Sequence, residues 1–329
     1  MKVIVPMAGY GTRLRPHTFS KPKPLINVAG KPVLGHVLDM LSGVAVEEYI
    51  FITGYLGEQI EQYVGAQYPG LHASFFEQKE LNGQSPAVHL GKERVDGPLL
   101  IVFVDTIIET DLSQLAHEKA DAVAWVKRVA DPRRFGVAEL AADGRVRRLV
   151  EKPKSMENNL AVVGFYYLKD GPRLMDAIER QLRAGIQTAN EYFLADAMQL
   201  LLADGLHMRV QEVEVWEDCG KPETVLHTNR YLLENGHDNS SVNTQPDVIV
   251  VPPVNIHPDA QIHNSIIGPH VTIGAGCTIE SSIVRDSIVE EEAQIINANL
   301  AGSLVGRGAR VSGRARRFNV GDFSEVGFE

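Results

Sequence analysis

"VIVPMAGYGTRLRP", Val3 to Pro16, runs from an unbroken apolar segment into a turn with two glycines and two arginines. The apolar part reads as a buried strand, and the turn leaves its carboxyl end. "KPKPL", Lys21 to Leu25, follows, so Arg13, Arg15, Lys21 and Lys23 crowd into a connection that needs only turn residues. The same alternation of short apolar and longer amphipathic runs continues to about Asn235. "EYIFITGY", "HASFFEQ" and "PLLIVFVDT" read as strands, while "LGHVLDMLSGV", "LGEQIEQYVGAQY" and "PAVHLGKERV" read as helices. Apolar strands separated by helices predict a doubly wound α/β layer, its mostly parallel sheet covered on both faces. Ligands in such folds bind beyond the carboxyl ends of strands. The Met7–Pro16 loop and Asp105, at the end of "LLIVFV", both fall there.

After the polar stretch "LLENGHDNSSVNTQPD" the period changes. Ile256 to Ile262 is a step of six, as are Ile267 to Ile273, Ile273 to Ile279, Val289 to Ile295 and Val305 to Val311. An aliphatic residue every six positions, with small residues between, predicts a short parallel β-helix whose aliphatic side chains stack inside. The register slips in "SSIVRDSIVEEEAQIINANLAGS", so a few coils with short insertions are expected. The domain reading is 1–235 catalytic, 236–247 linker and 248–329 β-helix, with "RARRFNVGDFSEVGFE" (314–329) sealing the helix end.

The 329 residues suffice for a large and a small domain, and 44% hydrophobic with 22% charged residues is ordinary globular composition. A net charge of −10 argues against broad nucleic-acid or anionic-membrane binding, which needs a basic face. The cations of the first loop are therefore a local concentration, suited to a small and highly anionic ligand. Cys219 and Cys277 fit no metal-ligand spacing and read as reduced thiols. Pro6 and the glycines interrupt the first apolar run too early for a signal peptide, and no apolar run would span a bilayer, so a cytoplasmic protein is expected.

Three phosphate-binding patterns compete for the first loop. The dinucleotide fingerprint needs glycine where Leu14 stands, and the Gly-Lys-Ser/Thr loop needs lysine where Thr12 stands. What remains is a glycine turn whose backbone can approach phosphate oxygens, followed by an arginine able to grip them with two N–H groups. A plain connecting turn is the competing reading. The crowded cations, and the prolines that stiffen the segment carrying Lys21 and Lys23, weigh against it.

"GYGTRLRPHTFSKPKPLINVAGKPVLGH" resembles the signature of the sugar-phosphate nucleotidyltransferases, the NDP-sugar pyrophosphorylases. The likeness continues in order through "VDTII", "RFGV", "VEKPK", "NEYFLADA" and "WEDCGKPE", and the β-helix tail is similar to that of the long-form glucose-1-phosphate thymidylyltransferases. The resemblance implies a left-handed β-helix. It also implies an enzyme that joins a nucleoside triphosphate to a sugar 1-phosphate and releases pyrophosphate, dTTP and glucose 1-phosphate being favoured and UTP close behind.

Residue by residue, the resemblance implies a nucleotide site at Ala8, Gly9, Gly11, Thr12 and Arg13, with Arg13 on the β- and γ-phosphates. Lys23 would lie against the α-phosphate. Asp105 and Asp218 would hold Mg²⁺, which takes a few carboxylates together with phosphate oxygens. Gln78 and Gly83 would read the base. Gly136, Glu151, Lys152 and Glu191 would receive the sugar phosphate. The chain departs from the family pattern at Ala8 and Val104, where glycines are usual, and at Gln84, Ser85 and Pro86, where many members carry Gly-Thr-Ala.

Two alternatives stand beside this reading. One is a catalytically silent relative acting as a regulatory subunit; the presence of Arg13, Lys23, Asp105, Lys152 and Asp218 argues against it. The other is an acyltransferase site in the tail at His257, His263 or His270, for which surface histidines on repeat turns are the simpler reading. A symmetric homo-oligomer is expected from family habit and base rates.

Overall fold

The structure is a computed structural model and describes residues 1–242, 246–313, 320–321 and 325. The chain divides into two compact units, Met1–Asn27 with Lys31–Thr228, and Val28–Gly30 with Asn229–Glu329. Residues 243–245 of the expected linker, and most of the segment 314–329 expected to seal the β-helix, lie outside the described residues.

The first unit is built on a nine-stranded sheet. Its strands are β1 (Lys2–Pro6), β2 (Glu48–Thr53), β3 (Ala73–Glu77), β4 (Leu99–Val102), β6 (Ala122–Arg128), β7 (Gly136–Leu140), β8 (Val146–Glu151), β9 (Leu160–Leu168) and β10 (Met208–Glu212). A separate ribbon pairs β5 (Thr106–Ile108) with β11 (Trp216–Asp218). Around β1 the sheet is parallel: β1 lies between β2 and β4, and β2 pairs with β3. Beyond β4 it is organised by β9, which runs antiparallel to β4, β6 and β7, while β10 joins β6 in parallel. The sheet is therefore mixed, and an apolar run such as "LAVVGFYYL" carries no mark of strand direction.

Near-continuous apolar strands are explained by two covered faces. Val3, Val5, Phe51, Leu100 and Val102 point into one core, and Ile4, Ile50, Ile52, Leu99 and Ile101 into the other, as side chains alternate along a strand. Helices α1 (Val33–Leu41), α2 (Gly57–Gln67), α3 (Gln84–His89), α4 (Gly171–Ala184) and α5 (Leu194–Ala203) belong to this unit. Asp170 caps α4 by accepting the Arg173 N–H at 3.2 Å, and Gly185 ends it in the left-handed conformation. No helix among the described residues is long and apolar enough to cross a membrane.

The second unit carries three four-stranded parallel sheets. One holds Val248–Val250, Ser265–Ile267, Ile283–Arg285 and Asn299–Ala301, and successive strands of each sheet belong to successive coils. Ile256, Ile262, Ile267, Ile273, Ile279, Val289, Ile295 and Val305 are all buried in one core, so the hexapeptide pattern reads the interior correctly. The slipping register has a simple cause. Ile266 pairs with Ile283, a coil of 17 residues, but Ile283 pairs with Asn299 and Ile288 with Leu304, coils of 16. Neither is three full hexapeptides.

From Asn264 onward the corners take residues in the left-handed region, and these recur in rows one coil apart. The rows are Asn264, Ser281 and Asn297; His270, Asp286 and Gly302; and Gly276, Glu292 and Gly308, with φ between 46° and 65°. Serines add a second repeat. Ser265 Oγ donates to the His263 carbonyl at 2.7 Å and accepts the Ser282 N–H of the next coil at 3.1 Å. Ser282 repeats this with Glu280 and Ala298, and Ser287 with Arg285 and Ser303.

Candidate active site

The loop after β1 is shaped by its glycines. Gly11 is left-handed at φ 62°, and a Cβ there would lie 3.0 Å from both Lys23 Cβ and Thr18 Cγ2. Thr18 Oγ1 donates to the Gly11 carbonyl at 2.9 Å. The glycine thus lets the segment carrying Lys23 close onto the one carrying Arg13. The outer end of the loop is fastened by Tyr55, whose ring packs on Tyr10 at 5.7 Å and whose hydroxyl donates to the Phe19 carbonyl at 2.6 Å.

Lys23 is not a solvated surface cation. It opens a short turn between Pro22 and Pro24, and its Nζ donates to Asp105 Oδ2 at 2.9 Å. Asp105 follows β4 after Phe103, whose N–H donates to the Gly164 carbonyl at a bulge in β9. Burial raises the Asp105 carboxyl, but Lys23 and then Arg13 more than cancel that, leaving it below its ordinary value. The β5–β11 ribbon brings the second aspartate alongside. Asp218 stands opposite Thr106, and the Cys219 N–H donates to the Asp105 carbonyl at 2.9 Å. Asp105, just before β5, and Asp218, at the end of β11, are hard oxygen donors of the kind Mg²⁺ takes. Among the described residues no group of three or more His, Cys, Asp or Glu could hold a metal.

Gly220 escaped the sequence reading although "WEDCGKPE" contains it. A Cβ there would lie 2.8 Å from Asp218 Oδ1 and 3.1 Å from Arg13 Nη2. Its N–H donates to Asp218 Oδ1 at 2.8 Å. The neighbouring Cys219 is buried and its thiol is pushed up to about 12 by that burial.

Arg13, Lys23, Asp105 and Gly220 face a cleft of about 460 Å³. Ala8, Gly9, Gly11, Thr12, Arg13, Lys23, Gln78, Gly83, Asp105 and Glu191 all line it, with Phe103, Phe193 and Gly220 among the residues the sequence reading passed over. Gln78 is buried, and its Nε2 donates to the Gly83 carbonyl at 3.1 Å. At Gly83, with φ 124°, a Cβ would lie 2.5 Å from the Tyr192 carbonyl oxygen, so only glycine permits this approach.

Gly136, Glu151, Lys152 and Asp218 are not in the cleft lining. Gly136 and Glu151 face each other in the β7–β8 hairpin. Lys152, left-handed at φ 46°, reaches the cleft wall, its Nζ 4.5 Å from the centre of the Phe193 ring. Glu191 follows a tight turn in which Ala189 and Asn190 are both left-handed and Thr188 and Glu191 exchange backbone hydrogen bonds. Burial pushes the Glu151 carboxyl up to about 7; Lys152 opposes this, and Asp196 and Glu191 add to it. Lys152 thus stands on strained backbone and Glu191 directly follows two strained residues, a feature that concentrates at functional sites.

The tail histidines each face a carboxylate. His257 lies near Asp259 and His263 near Asp247. His270, on a coil corner, is only 18% exposed and sits between Glu234 at 2.7 Å and Asp286 at 3.2 Å. It is more enclosed than a plain surface histidine.

At the carboxyl ends of β1 and β4 the sheet thus carries a cleft lined by a basic glycine loop, the Lys23–Asp105 pair and the buried Gln78 amide. The nucleotidyl transferase family model matches residues 2–235, and the chain belongs to that family. It is 30% identical over 361 residues to the low-salt glycan biosynthesis nucleotidyltransferase Agl11 of Haloferax volcanii, covering 99% of both chains. It is 30% identical over 358 residues to a glucose-1-phosphate thymidylyltransferase of Streptomyces griseus, again covering 99% of each. A solved structure of a putative glucose-1-phosphate thymidylyltransferase from Bacillus anthracis shares the fold, with a TM-score of 0.61 at 24% identity, covering 70% of this chain and 94% of that one.

Proposed function

We propose that the chain transfers a nucleotidyl group from a nucleoside triphosphate to a sugar 1-phosphate, with dTTP and glucose 1-phosphate as the favoured pair and UTP next. A phosphate oxygen of the sugar 1-phosphate attacks the α-phosphorus in line. The bond to the bridging oxygen breaks, and its electron pair leaves with pyrophosphate. The nucleophile is already an anion, so positioning and charge neutralisation carry the step. The observation that carries this reading is the Lys23–Asp105 contact at the end of β4, in the same cleft as Arg13 and Gln78.

Arg13 grips the leaving phosphates, its planar fork matching their geometry, and Lys23 meets the charge on the α-phosphate. Asp105 and Asp218 would hold Mg²⁺, which would supply charge neutralisation for the phosphates. Gln78 and Gly83 read a pyrimidine edge through one amide and backbone groups. Glu151 and Glu191 accept sugar hydroxyls, and Lys152 meets the sugar's phosphate. The S. griseus relative's name supports thymidylyl transfer to glucose 1-phosphate.

The test is pyrophosphate release with Mg²⁺, crossing dTTP, UTP, CTP, ATP and GTP against several sugar 1-phosphates, with Asp105→Asn and Arg13→Ala in parallel. Release that needs both substrates and collapses in the variants is expected. Nucleotide binding without release from any pair would overturn the reading and leave a silent regulatory subunit.

A further inference from the structure

Gln84 and Ser85, which depart from the family pattern, belong to a segment, 82–85, that is bonded across the cleft wall to 192–194. Tyr192 donates its N–H to the Asn82 carbonyl at 3.1 Å, and its own carbonyl accepts the Ser85 N–H at 3.0 Å. Ser85, fully buried, donates Oγ to the Phe193 carbonyl at 3.1 Å. The Leu194 N–H donates to Gln84 Oε1 at 3.2 Å. One end of this strap is held by Gln78 through Gly83. The other end carries Glu191 and the Phe193 ring under Lys152. An unbroken run of short contacts therefore joins the candidate base reader to two candidate sugar-phosphate side chains.

Gln84 and Ser85 do this with side chains. Where the family's glycine stands at the first of these positions there is no amide to hold the Leu194 N–H. Gln78, Ser85, Phe193 and Leu194 are buried and Gly83, Gln84 and Tyr192 half-buried, so a displacement of Gln78 and Gly83 has a packed, hydrogen-bonded route to Phe193.

We propose that Ser85, with Gln84, is a positioning residue that couples occupation of the base pocket to affinity for the sugar 1-phosphate. The proposal rests on the nucleotidyl-transfer reading above. Coupling of this kind is reciprocal and typically amounts to about 5- to 150-fold.

The experiment titrates glucose 1-phosphate by calorimetry into the full-length protein with Mg²⁺, alone, with α,β-methylene-dTTP, and with a methylene tripolyphosphate that has no base. Contacts between phosphates and metal act in both loaded states, so the difference between them isolates what the base transmits. In the wild type the nucleotide analogue tightens glucose 1-phosphate binding at least about fivefold more than the tripolyphosphate does. In Ser85→Ala that difference falls towards one, while the analogue's own dissociation constant stays within about twofold. The Phe193 carbonyl keeps the Gln181 Nε2–H at 3.0 Å in this variant, so it retains a partner. If Ser85→Ala fails to show a cooperative melt, Gln84→Ala breaks the same strap and is read identically. A wild-type difference that persists in the folded variant, or is absent from the wild type, overturns the proposal. Absence of turnover with every substrate pair overturns the functional reading instead, and the two failures are seen in different assays.

Discussion

At the scale of single residues, the cleft is a set of opposed charges held at short range. Arg13→Ala and Lys23→Met should each lower kcat by about a hundred- to a thousandfold, the usual cost of removing one preorganised charge donor. Steady-state pyrophosphate release with unchanged circular dichroism is the check. Gly220→Ala places a methyl against Asp218 and Arg13, and we expect it to match the Arg13 variant in activity while melting within a few degrees of wild type. Glu151 gives a pH signature. Its folded pKa of about 7 lies above its ordinary value of 4.5, so the native state binds the extra proton between those values. Stability then falls as pH rises through that window, by on the order of 2 to 3 kcal/mol from this group, and is level on either side. Glu151→Gln should flatten that slope in denaturant titrations at pH 5, 6 and 7; an unchanged slope would remove Glu151 as its source.

At the scale of elements, what could be read in advance was whatever a short run of residues determines by itself. β1, β2, β3 and β4, and helices α1 and α2, announce themselves by apolar period and length. So does the β-helix interior, because each inward aliphatic is fixed by its distance from the last. Strand direction was not legible, since β9 looks like any doubly covered strand and its antiparallel setting is decided by partners. The charged site residues stood out through motif resemblance, but Gly220 and Phe193 did not, because their importance lies in what their backbone or ring touches. The strap from Ser85 to Phe193 joins positions 108 residues apart, and nothing local signals it. Within the β-helix, Ile279 is fully buried. Ile279→Ala should cost about 2 to 5 kcal/mol through lost burial and the cavity left behind, read by thermal or chemical unfolding.

At the scale of the whole molecule, each unit has its own core: two clusters flank the sheet of the first, and a third fills the coils of the second. We expect calorimetry to resolve two transitions. A nucleotide at 100 times its dissociation constant should raise only the sheet unit's transition, by the equivalent of about 2.7 kcal/mol, whereas Ile279→Ala should lower only the other. A single transition that moves as one under both perturbations would contradict this. The net charge of −10 also matters here. The cleft's cations work against the field of the rest of the chain, so the grip on an anionic substrate is local.

The corner rows of the β-helix have a consequence for how this half of the chain can change length over evolutionary time. Left-handed corners and serine rungs recur one coil apart. The step from a coil of 17 to coils of 16 falls at the corner between Val284 and Ile288 and leaves the sheets aligned, whereas a residue lost from within a strand would reverse which side chains face inward; copying a whole coil of 16 disturbs neither, since each repeat meets only its neighbours. Viable length variants of this tail should differ by whole coils or by residues at the corners, and the gene should tolerate in-frame duplication of a coil far better than the removal of a single codon from within a strand.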